Sequence, residues 1–335
     1  MDLRSKRWMS LLSLLFLSSF VASVPLSSRS SECTNPTVRK EWFTLEREDQ
    51  SAYFDAVNCL ATAPSKNTST GAVTRWEDLV ATHQIQTNGT LVDGAWTGDR
   101  LHPVGQFLPW HRGLIHAQET LLRNECNYTG PLPYWNWTSA AGHWATSEML
   151  SAEHFGSNGT DPDGVVVDGP FANWTLNLGP GIENTPHYLS RVIDETNTTY
   201  TAQSYVDQCV GTETYAAFMP CDRASPSSHD RLGGGMHGGG HQGIGGDMLN
   251  LLTSPSDPLF YLHHGMLDRI WAQWQGLNES NVYDIAGFVD TELEPLEGWR
   301  NTTLNTTLDY FGIIPSLTVG DVMNTTGGVL CFVYE

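Results

Sequence analysis

The sequence predicts a mainly α-helical fold. Three observations point there. Several segments repeat apolar residues at helical spacing, no long alternating run of strand type interrupts them, and the stretches between are rich in Gly, Pro, Asn and Thr, the composition of connecting loops. The length of 335 residues suits one large domain or two small ones. Apolar residues make up 40%, with 12 Trp, 11 Tyr and 12 Phe, enough to fill a sizeable core and to exclude global disorder.

Residues 1–23 read as a leader rather than as fold. Arg4, Lys6 and Arg7 precede a short apolar run, residues 11–21, and Val21, Ala22 and Ser23 offer small residues for cleavage. A bilayer needs about 20 apolar residues, so the run reads as a secretory signal, with an N-terminal membrane anchor as the alternative. The remainder, 24–335, is expected to form a single domain of a secreted protein.

A helix is expected over residues 39–60, with Trp42, Leu45, Tyr53, Val57 and Leu60 as its apolar stripe. Trp76, Leu79, Val80 and His83 follow at i, i+3, i+4 and i+7, a short helix that aims His83 to its apolar side. Pro109 is expected to open the next helix. There His111, Leu114, Ile115, Gln118, Leu121 and Leu122 share one face, and Arg112, His116, Glu119 and Arg123 line the opposite face, expected to be solvated. Residues 138–235 hold no long periodic run and read as extended loops over the core. Residues 258–275 give the clearest helix, with Phe260, His264, Leu267, Trp271 and Trp274 in register. From Gly276 on, the chain reads as turns and small strands, such as the run 328–333.

Lys and Arg number 17 against 37 Asp and Glu, a net charge of −20. That excess argues against nucleic-acid partners and against docking on anionic membranes. Six cysteines, an even number with no C-x-x-C pair, suit disulfides in an oxidising compartment and not a thiolate zinc site. Six cysteines allow 15 connectivities and the sequence leaves them open; the pairing favoured among them is Cys209–Cys221 as a local loop, Cys33–Cys331 between the two ends, and Cys59–Cys126. Asparagines in N-x-S/T form candidate glycan sites at Asn67, Asn88, Asn127, Asn158, Asn173, Asn197, Asn278, Asn301, Asn305 and Asn324. Asn136 has the same pattern but sits in the aromatic run Tyr134-Trp135-Asn136-Trp137 and is expected to be bare.

The twelve histidines carry the chemical signal. His116 falls on a polar face, and His143, His154, His187 and His229 lie in loop-like stretches without ligand spacing; these five read as structural. His83 and His111 lie on apolar helix faces, with His102 in the loop between. Several buried imidazoles would each need a partner, and one metal ion satisfies three at once. His237 and His241 stand at i, i+4, so a helical turn places both rings on one side, and His264 lies on the Phe260/Trp271 face. The glycines from Gly233 to Gly240 oppose a helix at about 1 kcal/mol each, so the alternative for this pair is a flexible linker. Two all-imidazole groups suit zinc, copper, iron or nickel, and a pair with open positions fits copper binding dioxygen. The H-E-x-x-H zinc motif is absent, because Gly238 stands at the place of its Glu.

The segments His102-Pro103-Val104-Gly105-Gln106-Phe107-Leu108-Pro109-Trp110-His111-Arg112 and Asp257-Pro258-Leu259-Phe260-Tyr261-Leu262-His263-His264, with Asp268-Arg269-Ile270-Trp271 after it, resemble the two copper signatures of the type-3 copper polyphenol oxidases, the tyrosinases and catechol oxidases. Pro133-Tyr134-Trp135-Asn136-Trp137 is similar to a third family landmark. The resemblance implies a central antiparallel four-helix bundle holding two copper ions, one on His83, His102 and His111, the other on His237, His241 and His264, with His263 packing elsewhere. It implies dioxygen as co-substrate and small phenols as partners. Arg100 stands where some fungal members carry a cysteine linked to the middle ligand, so no thioether is expected. Phe332-Val333-Tyr334 resembles the motif that closes the catalytic domain, near which the family's N-terminal arginine, here Arg39, packs. The chain is thus expected to lack a shielding C-terminal domain and to be active without proteolytic release.

The implied reaction takes two electrons and two protons from a catechol, which leaves as an o-quinone while oxygen is reduced to water. Leu251 or Leu252 is expected over the entrance and Phe260 against a ligand ring. Preference between monophenols and diphenols is linked in the family to the positions here held by Gly238 and Gln242. Glycine cannot hold a water as base for a phenol proton, so diphenols and o-aminophenols are expected ahead of monophenols. A true tyrosinase, an oxygen carrier and a zinc hydrolase are the alternatives, and the sequence leaves the oligomeric state open.

Overall fold

A computed structural model describes residues 33–88, 90–92, 95–159, 163–223, 235–290 and 300–335. The leader at 1–23 and His229 lie outside the described residues. The helices are α1 (Arg47–Thr62), α2 (Arg75–Thr87), α3 (Phe107–Cys126), α4 (Glu195–Thr198), α5 (Gln203–Val210), α6 (Tyr215–Arg223), α7 (Met236–Ile244), α8 (Gly246–Leu249), α9 (Leu259–Gly276) and α10 (Val319–Met323). Strands are short: β1 (Thr37–Glu41), β2 (Thr90–Val92), β3 (Ala95–Thr97), β4 (Pro133–Tyr134), β5 (Thr175–Leu176), β6 (His187–Tyr188), β7 (Thr307–Leu308), β8 (Leu317–Thr318) and β9 (Phe332–Tyr334). None of the described helices is long and apolar enough to cross a membrane.

Side-chain chemistry marks the starts of α2 and α9. Thr74 and Glu77 form a reciprocal capping box on α2, each side chain accepting the other's backbone N–H. Asp257 precedes α9 and its Oδ1 accepts the Leu259 N–H at 2.9 Å. Arg191, fully buried, fixes that carboxylate from both sides at 2.7 and 2.8 Å. α3 ends on Asn127, whose left-handed φ of 56° is the kind of conformation asparagine tolerates at a helix C-terminus. It begins at Phe107, so Pro109 is its third residue and not its opener.

Three expectations are corrected. Residues 39–60 do not form one helix. Thr37–Glu41 is instead the central strand of a parallel β4-β1-β9 sheet, a single 3₁₀ turn covers Trp42–Thr44, and α1 begins at Arg47. The strand wins because it buries the Arg39 guanidinium, 3.4 Å above the Phe332 ring and within reach of Glu119 and Asp268. Second, the polar face of α3 is not solvated. Arg112 is fully buried and Glu119 nearly so, while His116 is only half-buried. α9, α10 and the two end strands cover that face, and the charges go inside as a paired network: Arg112 with Asp268, Arg39 with Asp268 and Glu119, and Glu119 with Arg123. Third, residues 138–235 are more than loops. They include α5 and α6, too short to show a periodic run and tied to each other by Cys209–Cys221.

The other disulfides are Cys33–Cys331, which closes the two ends over the β1/β9 pair, and Cys59–Cys126, which joins α1 to the end of α3. Among the sequons, Asn88, Asn127, Asn173, Asn278, Asn301 and Asn305 are exposed, and Asn67, Asn158, Asn197 and Asn324 are half-buried. Asn136 is half-buried and its Oδ1 accepts from the Thr138 hydroxyl at 2.8 Å.

Candidate metal centre

Helices α2, α3, α7 and α9 converge on one buried point. α2 supplies His83, the loop before α3 supplies His102, and α3 supplies His111; their ring nitrogens lie within 4.8 Å of one another. His237 and His241 from α7 and His264 from α9 form a second group of the same tightness. All six rings are buried. The groups adjoin: His111 and His264 stack face to face with centroids 4.3 Å apart and planes 8° from parallel.

The glycine-rich stretch does fold as a helix, and the reason is packing. A Cβ on Gly239 would lie 2.9 Å from the Tyr200 Cβ, one on Gly240 only 2.1 Å from the His263 ring, and one on Gly243 2.8 Å from Thr198. The intrinsic cost of about 1 kcal/mol per glycine is therefore accepted where α4, its neighbouring turn and α9 approach too closely for any side chain. His263, next in sequence to the ligand His264, packs behind α7: the Trp137 indole donates to its Nδ1 at 3.2 Å.

Backbone carbonyls set the tautomers. His83 Nδ1 is 2.9 Å from the Leu252 carbonyl, His111 Nδ1 2.8 Å from that of Phe107, and His241 Nδ1 2.7 Å from that of Met248. A carbonyl only accepts, so each Nδ1 carries the proton and each Nε2 turns a lone pair inward. The Nε2 atoms of His83 and His111 are buried without a hydrogen-bond partner, and those of His241 and His264 face each other at 3.2 Å. An orphaned buried acceptor costs roughly 1–3 kcal/mol, a penalty that a coordinated ion removes. Burial disfavours the charged form of three of these rings. It lowers the His83 pKa to about 4, against smaller upward pulls from the Leu252 carbonyl and the Asp99 charge. His111 and His264 fall well below the usual histidine range, first from burial and then from the neighbouring rings. Six imidazoles, with no carboxylate or thiolate in either group, form the donor set of a dinuclear copper centre.

Two phenylalanines close the centre. The Phe260 ring lies 4.2 Å from that of His264 and 5.6 Å from that of His83. Phe107, which the sequence did not single out, lies 4.7 Å from both His111 and His237 and so touches both groups. Of the other expected pocket residues, Gly238 is buried within α7, while Gln242 and Leu251 are half-buried. Leu252 is buried and meets the centre through its carbonyl. The carboxylate of Asp99, another residue the sequence did not flag, lies 3.5 Å from His102 Nδ1; its spacing, i to i+3 from a ligand, was the available signal. Of the histidines read as structural, His154 accepts from the Trp42 indole at 2.9 Å and His187 pairs with Asp247 at 2.9 Å.

Residues 73–277 match the common central domain of tyrosinase. The chain is 32% identical to an N-acetyl-6-hydroxytryptophan oxidase of Emericella nidulans, over 90% of this chain and 93% of that one. It is 31% identical to tyrosinase P of Aspergillus terreus with the same coverage. Among solved structures, a mutant polyphenol oxidase from Thermothelomyces thermophila superposes with a TM-score of 0.78 at 30% identity, covering 90% of this chain and 89% of that one. Two adjoining histidine triads on four helices and the loop before α3, within a chain that matches along nearly its whole length, establish that this protein belongs to the tyrosinase family of type-3 copper polyphenol oxidases.

Proposed function

We propose that this protein is a secreted oxidase that converts o-diphenols to o-quinones, with o-aminophenols and some monophenols as further substrates. The observation that carries the reading is the pair of adjoining, fully buried, imidazole-only triads. Bound copper supplies dioxygen binding and electron acceptance. In the net reaction one dioxygen takes four electrons and four protons from two catechols, which leave as quinones beside two waters. The chain's own residues do the rest. The carbonyls of Leu252, Phe107 and Met248 fix the rings, and Phe107 and Phe260 keep bulk water from between the triads.

The preference for diphenols rests on Gly238, which has no side chain to hold a water against a phenolic proton; the half-buried Gln242 gives weak monophenol turnover. Of Leu251 and Leu252, the half-buried Leu251 is the one proposed to limit substrate bulk. Secretion is supported by the leader pattern of residues 1–23 and by three disulfides, which persist in oxidising compartments. The exposed sequon asparagines are the proposed glycan carriers. A second reading, a hydroxylated indole as substrate, is favoured by the 32% identity to the hydroxytryptophan oxidase.

The test is oxygen uptake by purified, copper-loaded protein on catechols, o-aminophenols, simple phenols and 6-hydroxyindoles. Catechols are expected to turn over fastest. Phenol oxidised as fast as catechol overturns the diphenol preference, turnover confined to hydroxyindoles selects the second reading, and no uptake on any of them removes the oxidase reading.

A further inference from the structure

The ligand rings are not all oriented by the same chemistry. His83, His111 and His241 each lean on a neutral backbone carbonyl. His102 does not: its Nδ1 faces the Asp99 carboxylate, Oδ2 at 3.5 Å. Asp99 is fully buried. Its other oxygen accepts the N–H groups of Leu101 at 2.8 Å and His102 at 2.9 Å, so backbone bonds pin the carboxylate in one orientation beside the ring. His102 is also the ligand with the least backbone support, since it sits in a turn and not on a helix. A carboxylate behind an imidazole fixes the ring, sharpens its lone pair and places a negative charge against the metal's positive one.

From this geometry we infer that Asp99 is the positioning residue and buried counter-charge of the first copper, the one on His83, His102 and His111. It orients His102 for coordination and offsets the charge of the bound ion. The inference rests on the copper centre and is independent of which phenol is oxidised.

The experiment reduces the holoprotein, removes copper with a graded series of a cuprous chelator, separates the chelate and reoxidises the protein with ferricyanide, then follows copper per chain and the electron paramagnetic resonance signal. Wild-type protein holds two coppers per chain, coupled and silent. Asp99→Asn keeps an acceptor for the two backbone amides and deletes the charge. It is expected to release one copper at a chelator concentration at least tenfold lower than wild type, to release the second where wild type does, and to show the signal of one isolated Cu(II) between. Asp99→Glu, which keeps the charge, is expected to restore much of the lost affinity. The metal-free Asp99→Asn protein is expected to melt within a few degrees of metal-free wild type, which separates positioning from a merely structural role. Release of both coppers at wild-type concentrations, or an equal weakening of both, overturns the inference. Should Asp99→Asn not fold, a copper-loaded crystal structure of the wild type decides: contraction of the Asp99–His102 contact to hydrogen-bond distance supports the inference, and a carboxylate turned away from the ring overturns it. Wild-type protein that does not bind two coppers would overturn the metal centre itself, a result distinct from either.

Discussion

Asp268→Asn tests how the two copper-bearing helices are held together. Asp268 lies one turn beyond His264 on α9, and Arg112 directly follows His111 on α3. The carboxylate takes Arg112 Nε at 2.5 Å, Arg39 Nη1 at 3.4 Å and the Tyr334 hydroxyl at 2.5 Å, and is 3% exposed. One acid thus joins α3, α9 and both end strands. Removing one partner of a buried pair costs about 3–5 kcal/mol, because the remaining charge is left uncompensated. Two features place this case near the lower end. Arg39 keeps Glu119, 3.1 Å away. Arg112 keeps the carbonyls of Val322 and Met323, Gln275 Oε1 and the Trp271 ring, 3.7 Å beneath it. The expected loss is about 3 kcal/mol, or roughly 4 °C in Tm at an unfolding entropy of about 2.1 cal/mol/K per residue. Urea or thermal unfolding of wild type and variant, metal-free and copper-loaded, measures it. Adding Arg112→Met to Asp268→Asn is expected to recover part of the loss, since the stranded charge then disappears. A single-variant loss below about 1 kcal/mol, or strict additivity in the double variant, would refute the claim that this buried network clamps α3 to α9.

Gly240→Ala places a methyl 2.1 Å from the His263 ring, which the Trp137 bond holds in place. Overpacking of about 1–3 kcal/mol outweighs the helix gain of about 1 kcal/mol, so the variant unfolds at lower urea and loses copper more readily. Gly276→Ala, with nothing within 4 Å, is the control and is expected to stabilise by up to about 1 kcal/mol. His187→Gln probes pH. The Asp247 hydrogen bond raises the His187 pKa against opposing burial, so its stabilisation is complete below the unfolded value of about 6.5 and is lost as pH rises through the folded value. The Tm gap between wild type and His187→Gln is expected to be larger at pH 5.5 than at pH 8.5, and a constant gap would remove the pair as a contributor.

The copper centre was legible in the sequence because coordination chemistry leaves short-range traces. His237 and His241 at one helical turn, and His264 in phase with Phe260 and Trp271, specify which way each ring points once the helices exist. α9 was legible for the same reason, since its apolar period survives along its whole length. α1 was misjudged at its start, because the choice between strand and helix for residues 37–41 depends on β4 and β9, from residues about a hundred and three hundred positions away. The α3 charges were misjudged likewise: Arg112 and Glu119 show the spacing of a solvated face, and only the arrival of Asp268 and Arg39 makes burial affordable.

By itself the sequence set the helical class and picked out two groups of three histidines suited to a metal pair, because residue type, local spacing and the resemblance of short motifs all lie along the chain. Tertiary structure alone decided that the six rings, three of them anchored on backbone carbonyls and two carried on the glycine-rich α7, meet as two adjoining triads, that Phe107 touches both, and that Asp99 stands behind His102. Those outcomes depend on close approach between distant segments, and the room a Cβ would need, or the partner a buried charge requires, is not encoded in any one window of the chain.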